Sequence, residues 1–252
     1  KATKWLDLGL KATVGYSKTN FADPEAGAGR QNWGNPWFTT LLAYPYESPD
    51  DWYNVDNPTL ITKYYDRETG RLKTVASVYA KASITDGFSV KTNFGLDFMY
   101  NRNVSTLHRD HPNAQQNHGY YGQTSSELFR YTWTNTINVN KDFANGHSLN
   151  AVAGMEMFQG KWYTSNFTGY DLNSDMMQSP AGIGDKSGSS LFPPSIGGGR
   201  TMSNLMSFFA QASYSIANKY NFSASLRHDT SSKFYEDNAS ATFWSVGASW
   251  LI

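Results

Sequence analysis

Connection lengths alternate along this chain. Eight stretches read as β-strands, near Trp5–Lys18, Arg71–Ile84, Phe88–Asn101, Glu127–Asn140, Ser148–Gln159, Asn204–Ala217, Tyr220–Asp229 and Thr242–Ile252. The links between them run long, short, long, short, long, short, long. The short ones are turns at 85–87, 141–147 and 218–219, and the long ones cover about 19–70, 102–126, 160–203 and 230–241. Tight turns on one side and long loops on the other, joining strands of about ten residues, are the pattern of an antiparallel up-and-down transmembrane β-barrel. A soluble sandwich has no reason to sort its loops by side.

Composition removes several alternatives. Twenty-one basic residues balance 21 acidic ones, so no electrostatic footprint for nucleic acid exists. Charged residues make up 17% and aromatics 15%, against roughly 25% charged in ordinary soluble domains. No run of about 18 apolar residues appears, so no transmembrane helix is expected. A barrel passes that test because only every second residue faces lipid. Cysteine is absent, which excludes a disulfide framework and thiolate-ligated metal. The sequence opens almost directly on a strand, so either processing has removed a signal peptide or this is an internal piece of something longer. The whole of 1–252 is expected to be a single barrel segment without a plug domain.

Period two supports each strand. Phe88, Val90, Thr92, Phe94, Leu96, Phe98 and Tyr100 form one face; Ser89, Lys91, Asn93, Gly95, Asp97, Met99 and Asn101 form the other. Tyr220–Leu226, Trp244–Ile252 and Leu6–Tyr16 repeat the scheme. Alternation alone cannot say which face points outward. Two features choose an apolar exterior. The polar face carries Lys11, Lys81, Lys91, Asp97, Arg227 and Asp229, which fit a hydrated lumen. Aromatics (Tyr16, Phe88, Tyr100, Tyr131, Tyr214, Tyr220, Trp250) gather near strand ends, as interfacial girdles do. Two residues break the pattern: Asn135 falls on the apolar face and Val152 on the polar one. Either they are simple exceptions or a bulge shifts the register there.

The C-terminal stretches Ser207–Ser215 and Asn218–Arg227, then Asp229 and Ser231-Ser232-Lys233-Phe234, resemble the barrel segment of SusC/RagA-type TonB-dependent transporters. His147–Glu156 resembles that family's H-N-L-N-x-x-x-G-x-E strand, and Thr85–Lys91 its turn-and-strand hairpin. Thr230, Lys233 and Phe243-Trp244-Ser245 depart from the family's usual glycine, arginine and Phe-Pro-Ser. The resemblance implies a 22-stranded barrel in the cell outer membrane, of which this chain supplies about a third. It implies a plug, a TonB contact through an N-terminal part, a SusD-like substrate-binding lipoprotein as lid, and surrounding outer-membrane lipid. It implies nutrient import, with no resident cofactor or metal and no catalysis.

Cargo contact is expected from the loops, where transporters bind what they carry. Trp33, Trp37, Trp52 and Tyr53 place flat rings near Asp50, Asp51 and Asp56 in the first loop, chemistry that stacks on sugar rings; the same residues could instead pack the loop on itself. Tyr120 and Tyr121 in the second loop, and Phe192 in the third, carry the same two readings. Aromatic loops favour glycan over peptide cargo. The charges Lys91, Asp97, Arg227 and Asp229 are expected to face the lumen and pair across strands. Asp171-Leu172-Asn173-Ser174-Asp175 opens like a calcium loop but has Met176 at position six and Gly182 at position twelve, so loop capping is the better reading. His108, His111 and His118 with Asp110 have a spacing that a transition metal could use, though a polar surface loop is commoner. Gly27, Gly29 and Gly197–Gly199 read as flexible loop glycine. The competing class is a barrel-type outer-membrane lipase or protease with loop-borne catalytic groups. A soluble β-sheet binding module is a third option.

Overall fold

The computed structural model describes residues 3–20, 64–110, 114, 116–173, 178–184, 192–235 and 239–251. They form eight strands: β1 (Leu6–Asn20), β2 (Tyr65–Thr85), β3 (Phe88–Leu107), β4 (Tyr120–Phe143), β5 (His147–Tyr170), β6 (Ser195–Ile216), β7 (Tyr220–Ser231) and β8 (Ser240–Trp250). All lie in one sheet in chain order, each antiparallel to its neighbour, with β1 and β8 at the edges. The short connections have turn chemistry. Gly87 takes φ +82°, Asn145 and Gly146 take +61° and +73°, and Ala217 and Asn218 take +52° and +55°. Such positive values are cheapest for glycine and asparagine.

The pairing carries the two faces across the whole sheet. One row reads Leu10, Val78, Phe94, Trp133, Met157 and Met206; the next reads Gly9, Tyr79, Asn93, Thr134, Glu156, Ser207 and Asp229. Leu10 is 78% exposed, and Trp244 and Val246 are each 74% exposed. Among the described residues, no second layer of protein covers the apolar face below the outer rim. The pairings of β4 with β3 and β5 run without a register shift. Asn135 and Val152 are therefore simple exceptions. Asn135 sits beside Thr92, whose hydroxyl accepts a 2.9 Å bond from Trp133 Nε1, so the polar spot on this face is partly satisfied internally.

The apolar belt runs obliquely to the strands. On β1 it extends up to Tyr16, level with Leu72, Tyr100, Glu127, Tyr163 and Arg200. By β5 and β6 that level is already polar. At the other end, Leu6 is level with Leu226 and Trp244, and the belt continues down β8 through Val246 and Ala248 to Trp250. Such stagger is what tilted strands in a barrel wall require.

Strands reach further than their apolar content predicts. β4 and β5 are 24 residues each, about 80 Å if fully extended, against an apolar band of ~25 Å in such barrels. Their outer halves, with β3's Asn101–Leu107, are polar on both faces and show no alternation in hydropathy. Hence the long connections are shorter than the sequence indicates, and Gly197, Gly198 and Gly199 are strand residues paired with Asn166, Ser165 and Thr164. Tyr131 lies in the middle of β4, opposite Leu96 and Gln159, and belongs to no girdle. Among the described residues a small hydrophobic core lies at the outer rim: Val104, Tyr121 and Leu172 are buried there, with Phe167 and Ile183 packed against them. By strand parity it lies on the apolar side of the wall, where the β5–β6 connection folds back.

Candidate functional site

The polar face divides into a charged zone and a neutral one. In the charged zone Arg227 is the hub. Its Nε donates to Asp229 Oδ1 at 2.7 Å, and one terminal nitrogen donates to Ser207 Oγ at 2.9 Å and approaches Glu156 Oε1 at 3.5 Å. Thr134 Oγ1 donates to the other Glu156 oxygen at 3.1 Å. The guanidinium also lies 5.8 Å from the centre of the Phe209 ring. One hub thus ties β4, β5, β6 and β7 together. Lys91 stands 5.3 Å over the Tyr79 ring, and Tyr79 in turn covers the bare backbone of Gly9. Asp97 is opposite Arg130, and one of its carboxylate oxygens is buried with no hydrogen-bond partner among the described residues. The four charges named from the sequence share one face; Arg227 and Asp229 meet, while Lys91 and Asp97 stand apart from them. Glu156 and Ser207 were not singled out, although the same period-two count places them on this face.

The outer end of the same face is lined by tyrosines. Tyr65, Leu107, Tyr120 and Tyr170 form one cross-strand row. The Tyr120 and Tyr170 rings meet edge-on at 6.5 Å, and Phe192 packs 5.7 Å from Tyr170. Burial, then the neighbouring Tyr65, push the Tyr120 phenol pKa upward, which favours its neutral form. Tyr65 and Tyr170 escaped notice because their strand ends read as loop.

Neighbouring residues in sequence separate here. Tyr121 has no exposed surface; it stacks on Phe167 at 5.9 Å and donates to Gln123 Oε1 at 3.1 Å. A ring so enclosed cannot touch cargo in this arrangement, which corrects the pairing of Tyr121 with Tyr120. Strand parity is the reason, since adjacent residues point to opposite faces. Trp33, Trp37, Trp52 and Tyr53 lie outside the described residues, as do His111 and Asp175. Asp171 Oδ1 is bound to His118 Nδ1 at 2.9 Å, and Gly184 N donates to the Asp171 carbonyl at 2.9 Å, which is loop capping. His108 faces Asp110 at 3.7 Å and the Tyr64 ring at 5.2 Å. His108 and His118 are thus engaged with separate carboxylates. Among the described residues no group of three or more potential ligands is gathered for a metal.

Comparison with known proteins bears on what such a wall belongs to. Residues 9–252 match the family model described as TonB dependent receptor-like, beta-barrel. A curated relative from Formosa agariphila, "TonB-dependent receptor P39", is 23% identical over 202 residues, which is 79% of this chain and 19% of the relative. The structure of the RagAB peptide importer in the open-open state superposes with a TM-score of 0.79 at 18% identity, over 98% of this chain and 28% of that one. The closed-closed state gives 0.75 at 20% identity over the same shares. At these identities the structural likeness concerns the fold. The chain spans less than a third of the length of either relative.

Proposed function

We propose a function on one premise: the chain belongs to the TonB-dependent receptor-like β-barrel family. Its eight strands are part of the wall of an outer-membrane importer, and its outer strand ends and loops face the cargo. The observation that carries this is the uncovered apolar face, continuous over eight strands, backed by a polar face bearing charge. In water such a sheet would bury its apolar side. Only a lipid exterior and a wet interior satisfy both faces at once. The apolar belt therefore contacts outer-membrane lipid, and Lys91, Asp97, Arg227 and Asp229 face the lumen.

The remaining wall, a plug and the TonB contact come from the rest of the receptor, and a SusD-like lipoprotein closes the mouth. Cargo is a glycan, held in part by Trp33, Trp37, Trp52 and Tyr53 of the β1–β2 connection and by Tyr120. The support is chemical: flat rings beside carboxylates and amides stack on the C–H faces of sugars. The test uses cells carrying the full-length receptor. Uptake of its cargo must stop when TonB is deleted, and Trp37→Ala with Trp52→Ala must slow it. Uptake that continues without TonB would overturn the import reading. Unchanged uptake in both tryptophan variants removes those two residues from the cargo site.

A further inference from the structure

Above the charged zone, the lumenal face of β3–β6 contains no charged side chain for several rows. Going down from the tyrosine row, the wall reads Ser105, Gly122, Thr168 and Ser195. Next come Asn103, Thr124, Asn166 and Gly197, then Asn101, Ser126, Thr164 and Gly199. Every side chain there is a hydroxyl or an amide, able to donate and accept together. The row below contains Trp162, which is 54% exposed. Tyr170 and Trp162 therefore lie on one strand and one face, with Thr168, Asn166 and Thr164 between them. Eight residues of strand separate the two rings by roughly 26 Å.

Resting on the import reading, we infer that this strip of β5 is a binding track for an uncharged oligosaccharide, which stacks on Tyr170 at the rim and on Trp162 below. Sugar rings present C–H faces that lie on aromatic rings, and hydroxyls that exchange hydrogen bonds with amides and hydroxyls. The strip supplies both, spaced for a chain of several sugars. Arg130, with Asp97 opposite it, lies one row below Trp162 and bounds the strip; Arg67 and Arg71 stand aside on β2, where Arg71 is already bonded to Asn101 at 2.8 Å. Carboxylates and ammonium groups that would hold peptide termini are missing from these rows. Gly197 and Gly199 keep the β6 side low; a Cβ on Gly197 would run into the Asn166 amide, so the glycine is what lets that amide lie across the wall.

The experiment measures binding of short neutral gluco-, manno-, xylo- and galacto-oligosaccharides, with acidic oligosaccharides and a peptide mixture as comparators, to the full receptor in detergent by calorimetry. At least one neutral oligosaccharide should bind. Trp162→Ala and Tyr170→Ala should each weaken it about tenfold, the scale of one lost aromatic contact. Tyr170→Phe should leave affinity nearly unchanged, and a disaccharide should feel at most one of the two alanine variants. Trp162 is half in the open, so its loss leaves the wall intact, and a melting curve on each variant checks this. Selective binding of peptides or acidic glycans, no binding of neutral sugars, or wild-type affinity in both alanine variants overturns the track. None of these results touches the import reading, which fails separately if uptake is independent of TonB.

Discussion

Replacing Tyr121 with alanine should open the outer rim while leaving the rest of the wall in place. The ring has no exposed surface and is held by Phe167, Val104, Leu172 and Ile183. Burying an aromatic side chain removes about 150–250 Å² from water. At ~25 cal/mol/Å² this amounts to about 4–6 kcal/mol as an upper limit. Aromatic-to-alanine changes in packed sites cost about 3–5 kcal/mol. This rim core holds few residues, so a loss of that size exceeds what keeps the β5–β6 connection docked. The amides that should report it are Asp171 N, bonded to the Asn117 carbonyl at 2.9 Å, Leu172 N, bonded to His118 O at 3.1 Å, and Asn173 N, bonded to Gly182 O at 2.8 Å. Hydrogen exchange read by mass spectrometry should show these exchanging at least ~100-fold faster, since 1.4 kcal/mol is a factor of ten. Peptides from β7 and β8 should not change. Tyr121→Phe keeps the ring and loses only the bonds to Gln123 and Arg102, worth about 1 kcal/mol, so its exchange should rise only several-fold. Unchanged protection over 171–173 in the alanine variant refutes the reasoning. So does an equal loss of protection across all strands.

Further outcomes follow from the two faces and the turns. Ile137→Arg places a cation on the apolar face beside Val90 and Ala153 and should cost about 2–4 kcal/mol in denaturant unfolding from vesicles, whereas Thr132→Lys on the polar face should cost under about 1 kcal/mol. Gly87→Ala demands a positive φ of a residue whose Cβ would strike the Asn140 carbonyl; a loss above about 1 kcal/mol and slower assembly of the β2–β3 hairpin should be seen in refolding kinetics. Arg227→Gln should lower stability by about 1–2 kcal/mol, and adding Glu156→Gln should recover part of it; strictly additive losses would show that the two do not interact. Tyr120 should resist ionisation in an alkaline titration followed by phenolate absorbance. A phenol whose folded pKa is raised stabilises the fold below the ordinary value of about 10, and that contribution declines as pH climbs beyond it, so the rim should loosen only in strong alkali.

Strand identity and the sorting of residues onto two faces were legible in the chain itself. Period-two alternation, the turn glycines and asparagines, and the absence of any long apolar run suffice for an antiparallel barrel wall, because in a sheet each side chain's face follows from counting by twos. Lys91, Asp97, Arg227 and Asp229 were assigned to one face by that count alone. Strand ends were not legible. Hydropathy alternates only where one face meets an apolar medium, so the polar outer ends of β2, β3, β4 and β5 looked like loop and took Tyr65, Tyr170 and Trp162 with them. Tertiary structure alone decided which charges touch. Arg227 reaches Glu156 across β6 because pairing aligns Glu156, Ser207 and Asp229 in one row, an alignment set by register between segments far apart in sequence. It also decided that Tyr120 borders the open face while Tyr121 closes a core, since only the folding back of Leu172 and Ile183 turns one exposed surface into an interior.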